Sequence, residues 1–119
     1  MSTELFTVSV TIGQNVDLEP VWTTGDVLAV FEAHVSHDYT ATTGLGKYTH
    51  EDGRVVHEAS VRIECAALTF AEALAVLEAL PAICDDLHQE SVVWECRECT
   101  TSLVYGRRAD GAGALELSA

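Results

Sequence analysis

Glu58, Ser60, Arg62 and Glu64 alternate along one β-prone run, Val55-Val56-His57-Glu58-Ala59-Ser60-Val61-Arg62-Ile63-Glu64-Cys65. A strand's two-residue period puts these four on one face and Val55, His57, Ala59, Val61, Ile63 and Cys65 on the other. Thr7, Ser9 and Thr11 from an earlier run, and Glu95 and Arg97 from a later one, join the polar face if the strands pair. Glu58 could then serve as general base or cation partner. Arg62 and Arg97 could hold a carboxylate or phosphate, and Ser60 could orient it. The plain alternative is a solvated face whose Glu/Arg pairs contribute about 0.5 kcal/mol each. The expected binding residues are Glu58, Ser60, Arg62, Glu64, Glu95 and Arg97, with no catalytic residue assigned.

Other chemistry-bearing clusters read as structural. Cys96-Arg97-Glu98-Cys99 has the spacing of a zinc knuckle or redox pair, but Cys65 and Cys84 are singletons and offer no second pair. On a strand, side chains three apart point to opposite faces, so the two sulfurs diverge. Gly44-Leu45-Gly46-Lys47 lacks a following helix and does not match a dinucleotide fingerprint. His50, Glu51, Asp52 and His57 flank a turn, where polar residues are ordinary, and His34 and His37 read as a solvated last turn of a helix. There is no P-loop, nucleophile elbow or His-Glu-x-x-His helix. No metal and no cofactor are expected.

The elements that must position the polar face follow from periodicity. Phe6, Val8, Val10 and Ile12 alternate with Thr7, Ser9 and Thr11 in a first strand, Leu5 to Ile12, ended by Gly13-Gln14-Asn15. A loop to Thr24 carries Trp22, expected against the start of the first helix. That helix runs from about Gly25 or Asp26 to Ser36, capped by Thr23 or Thr24. Asp52-Gly53 predicts the turn of a hairpin from Tyr39 to Cys65, whose first strand, with Gly44 and Gly46, is an edge or bulged strand. Thr69-Phe70-Ala71-Glu72 predicts a capping box for a second helix carrying Phe70, Leu74, Leu77 and Leu80. It should bend at Pro81 and continue to about His88. A last strand spans Val92 to Tyr105, with a bulge near Arg97 to Cys99. The order strand, helix, strand, strand, helix, strand predicts a ferredoxin-like α+β sandwich: four antiparallel strands with two helices on one face. A swapped or barrel-like dimer is the alternative. One domain, residues 1–106, is followed by a flexible tail, residues 107–119.

Composition narrows function. Nineteen acids against six bases give a net charge of −13, which repels nucleic acid and anionic membranes and favours a basic partner, protein or small cation. The mean hydropathy of +0.17 is globular, and no apolar run is long enough to span a bilayer. The first residues show no signal-peptide pattern, so the cytoplasm is expected.

Gly46-Lys47-Tyr48, Asp52-Gly53-Arg54, Glu58-Ala59-Ser60 and Gln89-Glu90-Ser91-Val92 together resemble a family of small proteins of unknown function from actinobacteria and their phages. The shared pattern is Gly-x-aromatic, Asp-Gly, Glu-x-Ser and Gln-x-Ser-Val, with Tyr48 where a Trp is usual. The resemblance covers Trp22 to Val93 and implies the same layout but no activity. It singles out Glu58 and Ser60 on the open face, with Gln89 and Ser91 in a strand-start role toward helix-end carbonyls.

The expected function is that of a small acidic, non-catalytic interaction protein binding a basic protein partner, such as a phage or host-directed anti-defence factor. One alternative is a dimeric ligand-binding protein or enzyme using the polar sheet face, and another is an oligomeric structural component. A homodimer is expected.

Overall fold

The computed structural model describes residues 4–99, 102–107 and 113–118, the last two stretches by backbone alone. Strand β1 (Leu5–Gly13) leads into a two-rung hairpin, β2 (Asn15–Val16) with β3 (Glu19–Pro20), and then helix α1 (Thr24–His34). β4 (Thr40–Thr49) and β5 (Val55–Leu68) form the long hairpin, followed by helix α2 (Phe70–Asp86) and β6 (Val93–Cys99). A separate hairpin, β7 (Ser102–Arg107) with β8 (Gly113–Ser118), comes last.

The main sheet is antiparallel in the order β4-β5-β1-β6, the ferredoxin-like arrangement with β5 and β1 at the centre. One face of the central strands carries Val8, Val10, Ile12, Val61, Ile63 and Cys65. These pack with Val27 and Phe31 of α1 and Ala73, Val76, Leu80 and Ile83 of α2 in a single core. Each fully buried Val, Ile or Phe there contributes about 1.5–3 kcal/mol. Both helices therefore cover the same face.

Local signals set the element ends. Thr23 accepts from the Asp26 amide while Asp26 accepts from the Thr23 amide, and Thr69 and Glu72 repeat this reciprocal cap. The amide bonds from Thr23 and Thr69 hold the Asp26 and Glu72 carboxyls below the usual carboxylate range. At the long hairpin's tip Gly53 takes a φ of 86°, and Arg54 N donates to Asp52 Oδ1 at 2.9 Å.

Several expectations are corrected. Helix α2 passes through Pro81 and buries Ala73, Val76, Leu80 and Ile83, so Phe70, Leu74 and Leu77 lie on its outer side. In a helix rich in Ala and Leu all round, periodicity alone does not choose the buried face. Trp22 packs at the end of α2 rather than the start of α1: its Nε1 donates to Leu87 O at 2.7 Å and its ring stacks on His88. Of the two alternatives expected for β4, the edge strand holds: it lies at the sheet edge in unbroken register with β5. The irregularity falls instead between β1 and β5 near Phe6, where Ala67 has a φ of 58°. The last strand does not bulge through Cys99: β6 keeps its register with β1 and ends there, and β7 pairs with β8. Among the described residues no helix is long and apolar enough to cross a membrane.

Candidate functional site

The structure divides the six expected binding residues into two groups. Register places Ser9 beside Glu64 on one neighbour and Glu95 on the other, with Thr11 beside Arg62 and Thr7 beside Arg97. Arg62 Nη2 donates to Ser9 Oγ at 3.0 Å and Arg62 Nη1 to Glu95 at 3.3 Å, while Arg97 Nη2 lies 3.5 Å from Glu64. These four long side chains close over the sheet, leaving Ser9 only 2% exposed. Two guanidiniums are matched by two carboxylates across the sheet. Half-exposed pairs of this kind are worth about 0–1 kcal/mol each.

Glu58 and Ser60 lie further along β5 and line a different feature, an open cleft of about 670 Å³. Its floor is the end of β1, its sides are the β2–β3 hairpin and the connection from α2 to β6, and Tyr48 and His50 stand at the arm of the long hairpin. Gln89 and Ser91 line it too, so Glu58, Ser60, Gln89 and Ser91 meet here. Asp17 and Glu90 bring two further carboxylates.

The position of Glu58 is built from several sides. Its Oε2 accepts from Asn15 N at 3.0 Å. It lies so close over Gly13 that a Cβ on that residue would sit 2.5 Å from the same oxygen. Asn15 is itself buried, its Nδ2 donating to His57 O at 3.3 Å and its carbonyl accepting from Gln89 Nε2 at 2.7 Å. Gln14, also buried, takes the amides of Val21 and Trp22 on its carbonyl and donates Nε2 to Trp22 O. Every buried polar group of this turn that these bonds reach is thereby satisfied, as a buried backbone requires. Gln89 also donates to Leu87 O at 3.2 Å, so it does serve a helix-end carbonyl as expected, and in addition reaches across to Asn15.

Three left-handed non-glycine residues border the cleft, and each has a local cause. Asp17 and Leu18, with φ of 50° and 70°, turn the β2–β3 hairpin, where a two-residue loop takes positive φ at both positions. His88, with φ of 51°, closes α2: its amide donates to Asp85 O at 3.3 Å and that of Gln89 to Cys84 O at 2.9 Å. Sequence reading missed Gly13, Asn15, Asp17 and Glu90. Gly13-Gln14-Asn15 reads only as a strand terminator, and nothing local announces its long-range partners.

The remaining clusters stay apart. Thr7 Oγ1 contacts Cys99 Sγ on the open face, while Cys96 packs toward the core, so the two sulfurs lie on opposite faces of β6. Burial pushes the Cys96 and Cys65 thiols up. His34 pairs with Asp86 at 2.7 Å, and His37 lies 3.7 Å from Glu72, so each histidine links α1 or its exit to α2.

No protein-family profile and no curated protein matches the chain. Solved structures do. Phage SAM lyase in complex with S-methyl-5'-thioadenosine superposes with a TM-score of 0.64 at 23% identity, over 98% of this chain and 90% of that one. The apo state of phage SAM lyase gives 0.63 at 22% identity over the same shares. At this identity the likeness establishes the shared fold. It also corrects the expectation of a non-catalytic interaction protein, because the chains that match it from end to end are those of an enzyme.

Proposed function

We propose that the chain is an enzyme that binds S-adenosylmethionine (SAM) in the cleft and cleaves it as a lyase. One observation carries the reading: the cleft is lined by Asp17, Glu58 and Glu90 and, among the described residues, by no lysine or arginine. Such a wall favours a cation, and a net charge of −13 draws one in. SAM carries two positive centres, its sulfonium and its ammonium. The end-to-end likeness to phage SAM lyase supports the same reading.

Lyase cleavage breaks the bond between sulfur and the amino-acid side chain. The bond's electron pair goes to sulfur, whose charge vanishes, and S-methyl-5'-thioadenosine leaves as a neutral thioether. The carbon left behind is satisfied by the ligand's own carboxylate oxygen, which closes a ring as the carbon–sulfur bond breaks. A carboxylate beside sulfur would stabilise the bound cation more than the transition state. The ammonium keeps its charge throughout, so that is where an acidic group serves best, fixing the reacting chain in place. Glu58 takes this role. Ser60 and Ser91 offer hydroxyls to the polar ends of the ligand, and the ring of Tyr48 offers a flat surface to adenine.

The experiment is incubation of the purified chain with SAM and chromatographic detection of S-methyl-5'-thioadenosine. The wild type releases it, and Glu58→Gln raises KM roughly ten-fold or more, the cost of one charge-assisted bond. No release, with no thermal stabilisation by either molecule, overturns the proposal.

The expected homodimer belongs to the same proposal. β4 is an edge strand of ten residues with Lys47 as its one charge, an edge with which a second copy can pair, and Tyr48 near its end lines the cleft. A monomer mass by light scattering removes that part. A cytoplasmic location goes with it.

A further inference from the structure

We infer that Gln89 is a positioning residue for Glu58, acting through the backbone of Asn15. The inference rests on the reading of the cleft as a cation site and adds how its carboxylate is aimed. The Asn15 backbone is gripped at both polar groups: its N–H donates to Glu58 Oε2 at 3.0 Å and its carbonyl accepts from Gln89 Nε2 at 2.7 Å. The partners come from 43 and 74 residues away, so no local preference holds them together. Gln89 is tied in turn to the end of α2 through Leu87 O, which also accepts Trp22 Nε1. The two hydrogens of the Gln89 amide are thus committed to Asn15 O and Leu87 O, leaving none for a ligand.

Asn15 stands where the chain leaves β1 for the β2–β3 hairpin, whose turn runs through Asp17 and Leu18 with the positive φ that a two-residue loop takes. Without the Gln89 bond the Asn15 carbonyl is released, and rotation at Asn15 swings its N–H off Glu58. The carboxylate would then lose the one donor among the described residues that fixes its direction.

The test compares the full-length wild type, Glu58→Gln, Gln89→Ala and the double variant, titrated calorimetrically with SAM and with S-methyl-5'-thioadenosine. Each single variant weakens SAM roughly ten-fold or more and leaves the neutral thioether within about two-fold, because only the cation needs the carboxylate. The double variant is no weaker than Glu58→Gln alone. In parallel, the Asn15 amide proton resonance moves upfield in Glu58→Gln and Gln89→Ala, as it loses its charged acceptor. Additive losses in the double variant, equal losses for the two ligands, or an unmoved Asn15 amide in Gln89→Ala overturn the inference. If the wild type binds neither ligand, the lyase reading falls, and the amide resonance alone decides the role of Gln89.

Discussion

Gly13→Ala adds a single methyl group at the point where the cleft is tightest. The new carbon would lie 2.5 Å from Glu58 Oε2, 2.7 Å from its Cδ and 2.9 Å from Oε1. Ordinary contact needs about 3.5 Å, so the carboxylate must withdraw by roughly 1 Å. Gly13 is not among the positive-φ residues, so alanine meets no backbone penalty there, and Glu58 is a flexible side chain that can yield. Withdrawal breaks the 3.0 Å bond to Asn15 N and leaves a buried donor unpaired, at about 1–3 kcal/mol. Replacing glycine returns about 0.4–1 kcal/mol through the unfolded chain. The net loss is about 0–2.5 kcal/mol, or a fall in Tm of no more than about 10 °C for a domain of this size. SAM affinity, by contrast, falls roughly ten-fold or more. Gly44→Ala is the internal control, since its nearest neighbour would be Ser60 Oγ at an ordinary 3.8 Å. Scanning fluorimetry gives Tm and calorimetry gives affinity. A Gly13→Ala chain that melts near the wild type and binds SAM as tightly would refute the claim that Glu58 works from where it lies.

Two further predictions test the frame around the site. The Asp26 and Glu72 carboxyls have depressed pKa values in the folded chain, first because the amides of Thr23 and Thr69 donate to them. Their contribution to stability is therefore complete above the ordinary carboxylate range and is lost as pH falls through the folded values. Asp26→Asn and Glu72→Gln should flatten the loss of Tm on acidification, and a variant that keeps the wild-type slope counts against these caps. Arg62→Ala opens the bonds to Ser9 and Glu95. It should cost about 1 kcal/mol or less and leave SAM affinity within about two-fold, whereas a large loss of affinity would place the ion network inside the site.

Much of the scaffold is written within a few residues of itself. Alternation in Phe6-Thr7-Val8-Ser9-Val10-Thr11-Ile12 fixes a strand with one buried face. Thr23 with Asp26, and Thr69 with Glu72, close a helix start across one turn, and Asp52-Gly53 closes a hairpin. These are short-range rules of backbone geometry, and a chain with that order of elements has few ways to pack them.

The site obeys no such rule. Alternation groups Glu58 with Ser60, Arg62 and Glu64 equally, yet Glu58 and Ser60 enter the cleft while Arg62 and Glu64 neutralise one another over the sheet. What separates them is the place where β1 stops, the small hairpin that folds beyond it, and the contact of that hairpin with the end of α2. The carboxylate, the amide that holds it and the glutamine behind that amide come from three distant stretches of chain. Their meeting is a product of strand register and long-range hydrogen bonds, which only the folded chain can bring about.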